Sequence, residues 1–156
     1  MQVYNWDYRI EDIISAGKVF LEESDYPLKY SENNSYRALF NTLHDPDGCI
    51  LVDYTGDTLN GFAVLQRTDE CHHEYIGYLN KFYVLPNRRL TKASIRLMKE
   101  VTEWFDKRQC VLSFANAMAR VGHDAAFIKL LQKFQYQPTQ QGTLIRMNND
   151  TIFQIT

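Results

Sequence analysis

Six basic residues lie close together in the middle of the chain, and no acidic residue interrupts them. They are Lys81, Arg88, Arg89, Lys92, Arg96 and Lys99. Within this segment, a strand pattern ends at Val84-Leu85-Pro86 and a helical pattern begins. The first N–H groups of a helix have no partner inside the helix, and the helix dipole attracts anions to them. Since the net charge is −2, this segment favours a small anionic ligand, and nucleic-acid binding is not expected.

No catalytic base or metal site stands out in the sequence. Glu74 and Tyr83 could accept a proton through water, but a structural role is the favoured interpretation of each, so the catalytic residue stays unknown. The run Cys71-His72-His73-Glu74 has the composition of a metal cluster. Adjacent strand residues point to opposite faces, however, so the two histidines could not easily share one ion. A polar hairpin loop is predicted there, and no metal site.

The composition is that of one domain. A chain of 156 residues, 45% of them hydrophobic, can bury a core, and we predict a single domain over residues 1–156. No apolar stretch approaches the roughly 18 residues of a membrane span, and no secretory signal is recognisable. We therefore expect a cytoplasmic protein without a membrane partner. Three widely spaced cysteines, an odd number, argue against a disulfide framework.

Hydrophobic periodicity predicts the elements that would position the basic segment. The predicted helices are Ile10–Glu22, Ser31–Leu43, Thr91–Arg108 and Ala125–Phe134. The predicted strands are Val3–Tyr8, Cys49–Tyr54, Leu59–Gln66, Tyr75–Leu85, Cys110–Ala115, Tyr136–Pro138 and Thr143–Met147. The strand–helix–strand step from Tyr75 to Ala115 favours a parallel pair with a right-handed crossover. The order predicts an α/β fold (an α+β mixed sheet), with helices on both faces of a twisted, mostly antiparallel sheet.

The order of these elements, together with several short motifs, resembles the GNAT-type N-acetyltransferases. Val84-Leu85-Pro86-Asn87-Arg88-Arg89 resembles the family's V-x-P-x-x-R at the end of its fourth strand. Gly48 to Val52 and Leu59 to Phe62 resemble its G-x-x-L-V … I-x-G-F hairpin. Asp124 to Tyr136 resembles its N-x-A-x-x-x-L-Y-x-K-x-G-F. The resemblance runs from about Arg9 to Met147, and it implies a single GNAT-like acyl-CoA N-acyltransferase domain.

The same resemblance implies where acetyl-coenzyme A would bind. In relatives, the backbone of the fourth strand bonds the pantetheine amides, and the following helix start holds the pyrophosphate. The strand positions that match are Phe82, Tyr83 and Val84. The helix-start positions that match are Arg88, Arg89, Leu90, Thr91, Lys92, Ala93 and Ser94.

Six positions depart from the family pattern. The family's two glycines, which let phosphate approach the backbone, fall on Lys92 and Ser94; in a register that starts from Arg88 they fall on Thr91 and Ala93, of which only Ala93 matches. Two fourth-strand positions that are often acidic in relatives fall on Asn80 and Lys81. The late tyrosine, often the general acid in relatives, falls on Leu131, and the late glycine falls on Gln135. These departures predict a weaker or altered cofactor site.

Two functions remain open at this point. The resemblance implies an acetyl-CoA-dependent N-acetyltransferase that acts on an amine of a small molecule or a protein. The departures favour the alternative, a catalytically inactive GNAT-like binding or structural module with a protein partner. The chain also resembles small members encoded by tailed bacteriophages, which implies a phage protein of the virion or the host cytoplasm. The acceptor and the oligomeric state are not predicted.

Overall fold

Four α-helices and six strands make up the described part of this computed structural model, which comprises residues 1–24, 26–70, 72–89, 91–116, 124–139 and 143–148. The helices are α1 (Tyr8–Glu23), α2 (Glu32–His44), α3 (Ala93–Lys107) and α4 (Asp124–Lys133). The strands are β1 (Gly48–Thr55), β2 (Thr58–Thr68), β3 (Tyr75–Val84), β4 (Cys110–Asn116), β5 (Gln137–Pro138) and β6 (Thr143–Met147). Among the described residues, no helix is long and apolar enough to cross a membrane.

The strands form one open sheet in the order β1-β2-β3-β4-β6-β5. β4 and β5 each pair antiparallel with β6, whereas β3 and β4 are parallel and α3 connects them. Within the described residues, the last pair of the parallel ladder is Leu79↔Ala115, and β3 continues to Val84. The predicted mixed, mostly antiparallel α/β sheet is confirmed.

The first predicted strand, Val3–Tyr8, is wrong. α1 already begins at Tyr8, and the residues before it form an isolated bridge, Gln2↔Leu51, in place of a strand. Asp7 caps α1 by accepting a hydrogen bond from Arg9 N at 2.9 Å. A carboxylate at this position stabilises the first helical turn, so the cap overrides the weak alternation. The strand predicted as the fourth is therefore β3.

The chain divides into two compact units. The first comprises Met1–Val64 and Lys81–Leu97. Its core is built from Val3 and from apolar residues of α1, α2, β1 and β2, together with Tyr83 of β3. The most deeply buried are Val3, Ile10, Ile13, Ile50 and Val52. α2 begins with Ser31 as its cap, which accepts a hydrogen bond from Asn34 N at 3.2 Å.

The second unit comprises Leu65–Asn80 and Met98–Thr156. Its buried apolar residues come mainly from α3, from β4 and from the segment of α4 and the residues after it. They include Met98, Val101, Phe105, Cys110, Leu131 and Tyr136. A Cβ atom on Gly77 would lie 2.5 Å from Phe105 Cε1, so glycine is needed for this helix to pack on β3.

Candidate functional site

The end of β3 holds the three strand residues predicted to contact the cofactor. Tyr83 and Val84 are buried, and Phe82 is half-buried. On the neighbouring strand, a Cβ atom on Gly61 would lie 2.5 Å from the Tyr83 carbonyl oxygen. The glycine therefore lets β2 approach β3 closely at this point. All three predicted residues lie beyond the last pair of the β3–β4 ladder, at Leu79↔Ala115.

A tight turn follows β3. Pro86–Arg88 forms a single 3₁₀ turn, in which Arg88 N donates to Leu85 O at 2.8 Å. Proline suits the first position of such a turn because it needs no N–H donor there. The buried Nε atom of Arg88 has no hydrogen-bond partner within the described part of the chain. A buried cationic donor of this kind is costly unless an acceptor matches it.

Thr91 organises the start of α3. Its hydroxyl donates to Arg88 O at 2.7 Å and accepts a weak hydrogen bond from Ala93 N at 3.3 Å. The threonine thus occupies one N–H group at the helix start. Lys92 is exposed, Ala93 is buried and Ser94 is half-buried. An anion at this helix start would have to compete with Thr91 for the Ala93 amide, and Leu90 lies outside the described residues.

Arg89, also among the predicted cofactor residues, is engaged with the protein. Its Nη1 and Nη2 atoms donate to the two Glu23 carboxylate oxygens at 2.9 and 2.8 Å, and its Nε donates to Val84 O at 2.9 Å. The Tyr83 hydroxyl donates to the same carboxylate. Burial and this hydrogen bond raise the pKa of Tyr83 well above its ordinary value. Tyr83 is therefore a neutral donor near pH 7, which argues against it as a general base.

A second ion pair secures the beginning of α3. Arg96 Nε and Nη2 donate to the Asp53 carboxylate of β1 at 3.0 and 2.9 Å. Asn60 Nδ2 donates to the same carboxylate at 2.9 Å. Burial alone would raise the pKa of Asp53, but the hydrogen bonds from Arg96 and Asn60 outweigh it and hold that pKa below its ordinary value. Sequence reasoning missed this pair, although an aspartate inside the apolar strand Cys49–Tyr54 was a signal for it.

The remaining chemical candidates lie apart from this segment. Glu74 is exposed, and its backbone oxygen contacts His72 Nδ1 in the connection between β2 and β3. This agrees with the predicted polar loop, of which Cys71 lies outside the described residues. Leu131, at the family's tyrosine position, is completely buried. Among the described residues, no group of three or more His, Cys, Asp or Glu side chains could hold a metal ion.

Comparison with protein families connects this geometry to a known group. The sequence model of the acetyltransferase (GNAT) family matches residues 13–134, well over half of the chain. The chain belongs to this family. The GNAT match includes β3, the turn after it and α3. Comparison with curated protein sequences gives no match.

Solved structures show the same GNAT fold at low sequence identity. A ribosomal-protein-alanine N-acetyltransferase from Brucella melitensis has a TM-score of 0.73 and 17% identity, over 93% of this chain and 96% of that one. The NatC complex bound to Gag peptide and CoA contains a chain with a TM-score of 0.64 and 19% identity, over 94% and 98%. AAC(6')-Iy in complex with a CoA bisubstrate analogue has a TM-score of 0.68 and 15% identity, over 90% of each chain.

Proposed function

We propose that this protein is an acetyl-CoA-dependent N-acetyltransferase that acts on an amine of a small molecule or a protein. Membership in the GNAT family supports the reaction class. Among the named relatives, the NatC complex is described as bound to CoA and AAC(6')-Iy as bound to a CoA bisubstrate analogue.

The observation that carries the proposal is the positive charge of Arg88 and of the exposed Lys92 where the turn after β3 leads into α3. A pyrophosphate would be attracted by these charges and by the helix dipole. Arg88, Lys92 and the first amide groups of α3 are the residues we assign to phosphate binding.

The reaction itself requires little covalent chemistry from the protein. The amine nitrogen attacks the thioester carbonyl, the C–S bond breaks, and the thiolate leaves as the amide forms. The ammonium proton of the intermediate passes to a base or to water. The protein's contribution is to bind both substrates in the reactive orientation and to stabilise the oxyanion.

A second candidate, a module that binds coenzyme A without turnover, is favoured by Leu131. Leucine has no acidic proton, so this buried side chain, at the position where many relatives carry a tyrosine, cannot protonate the leaving thiolate. Thr91 also caps an amide at the α3 start, which favours weak binding.

Thiol release from acetyl-CoA separates the two candidates. The protein is incubated with acetyl-CoA and a panel of primary amines and N-terminal peptides, and free thiol is measured. Amine-dependent release, lost on heat denaturation, supports the enzyme. Saturable CoA binding with no release above the buffer rate for any acceptor contradicts the enzyme and supports the binding module.

We also propose that the chain acts as one domain over residues 1–156. β2, β3 and α3 each contribute residues to both compact units. None of these three elements is therefore complete within one unit. Unfolding followed by tryptophan fluorescence and by far-UV circular dichroism is expected to give coincident transitions. Two separate transitions would contradict this proposal. The cytoplasmic location and the phage origin stay predictions from the sequence.

A further inference from the structure

One carboxylate, that of Glu23, connects the last residue of α1 to the turn between β3 and α3. It accepts hydrogen bonds from both Nη atoms of Arg89 and from the Tyr83 hydroxyl. The Nε atom of the same guanidinium donates to Val84 O, at the end of β3. We call Glu23, Arg89 and Tyr83 the Glu23 clamp. Because a guanidinium is planar and its donors are fixed in direction, these bonds also fix the orientation of Arg89.

The clamp is partly shielded from water. The side chains of Arg89 and Glu23 are 29% and 24% exposed. The Phe20 ring stands edge-on to the Tyr83 ring at 5.2 Å, and the Arg89 guanidinium lies 5.4 Å from the centre of the Tyr83 ring. Packing of this kind restricts the rotamers of the pair. The ion pair should therefore contribute more than a fully exposed one, whose contribution is usually small.

Arg89 lies between two parts of the proposed cofactor site, so the clamp can affect both of them. Arg89 follows the 3₁₀ turn directly and precedes Thr91, which caps α3. The bonds to Glu23 and Val84 fix the backbone of the turn, and the turn determines where Arg88 and the start of α3 lie. We propose that Glu23 is a positioning residue of the acetyl-CoA site, acting through Arg89 on this turn. This inference rests on the proposed function.

In the competing interpretation, Arg89 binds phosphate directly, and the ion pair with Glu23 competes with that binding. The two interpretations predict opposite effects of Glu23→Gln. If Glu23 positions the turn, the substitution weakens CoA binding, because the neutral amide holds the guanidinium less firmly. If Glu23 competes with phosphate, the substitution releases Arg89 and strengthens CoA binding.

The test measures CoA binding by calorimetry for the wild type, Glu23→Gln, Arg89→Lys and Asp7→Asn. Asp7→Asn is the matched control. Asp7 lies at the opposite end of α1, and both of its carboxylate oxygens accept hydrogen bonds from the Arg9 guanidinium. Asparagine retains the capping ability of that position. Titrations are repeated at about 0.5 M salt, where the screening length falls to roughly 4 Å. At this salt concentration, long-range electrostatic attraction is screened. A change in CoA affinity that comes only from the loss of one negative charge on the protein is therefore removed.

Hydrogen exchange at the amides of Arg88, Arg89 and Thr91 provides a readout that does not depend on CoA. We expect Glu23→Gln and Arg89→Lys to weaken CoA binding by about tenfold, and to accelerate exchange at these amides while α2 is unchanged. Asp7→Asn should change CoA binding by less than about twofold. In thiol-release assays, the KM for acetyl-CoA should rise more than kcat falls.

Three results would overturn the inference. Stronger CoA binding by Glu23→Gln at both salt concentrations would make Glu23 a competitor of phosphate. Unchanged CoA binding with faster exchange would make the clamp a structural ion pair only. If the wild type binds no CoA, the proposed function fails, and the positioning role fails with it whatever the exchange data show.

Discussion

Gln135 adopts a backbone conformation that normally requires glycine. Its φ is +72°, in the left-handed region, two residues after α4 ends at Lys133. The two hydrogen bonds of the Schellman motif are present, from Gln135 N to Gln132 O at 3.1 Å and from Tyr136 N to Leu131 O at 3.1 Å. The late glycine of the family pattern falls on this position, and a left-handed helix end is where glycine is usually found. Gln135→Gly should therefore stabilise the protein.

The size of the effect follows from two opposing contributions. A left-handed conformation costs an L-residue about 1–2 kcal/mol, whereas the added freedom of glycine in the unfolded chain costs about 0.5–1 kcal/mol. The net gain is about 0.5–1 kcal/mol, which raises the Tm of a chain of this length by about 1–4 °C. The free energy of unfolding is measured by urea denaturation at constant m-value.

The control for this prediction is the same substitution three residues earlier. Gln132 lies inside α4 and is exposed, so Gln132→Gly should destabilise the protein by about 1 kcal/mol. If Gln135→Gly also destabilised the protein, the assignment of the left-handed helix end would be refuted.

Three further predictions concern packing and pH. Gly77→Ala should destabilise the protein by about 1–3 kcal/mol in urea denaturation, because the added methyl group overlaps Phe105; an unchanged midpoint would contradict the packing described. Gln109 has a φ of +62° after α3, so Gln109→Gly should raise the Tm by about 1–4 °C in calorimetry, and a lower Tm would refute it. The pKa of Asp53 is lower in the folded protein than in the unfolded chain, where it is about 3.9. The charged carboxylate therefore stabilises the fold at pH values above about 3.9, and this stability is lost as the pH falls through the folded-state pKa. Asp53→Asn should flatten the acid limb of a stability–pH curve measured by denaturation, and an unaltered limb would contradict the pairing with Arg96.

The fold could be predicted from the sequence because its signals are local and repeated. α3 has a clear apolar stripe, and the β1–β2 hairpin is bounded by strong turn residues. The first strand could not be predicted correctly, because the Val3–Tyr8 alternation is weak and the capping bond of Asp7 dominates. Alternation of side chains in a few residues is a poor guide when a helix cap follows at once.

The location of the cofactor site stays a prediction from the sequence, and the hydrogen-bond partners of its side chains were not foreseeable. The roles of Arg89 and Arg96 depend on Glu23 and Asp53, which lie 66 and 43 positions away in the sequence. Nothing in the spacing of basic residues distinguishes an arginine that is paired with a carboxylate from one that is available to a ligand. The sequence also could not show that the Thr91 hydroxyl accepts a hydrogen bond from Ala93 N at the start of α3.

The most direct test of the acetyl-CoA assignment is a calorimetric titration with coenzyme A, performed on the wild type and on Lys92→Ala. We expect saturable binding at one site with a Kd below about 1 mM, and a several-fold weaker Kd for Lys92→Ala because one phosphate contact is lost. No saturable heat with the wild type at millimolar coenzyme A would contradict the account.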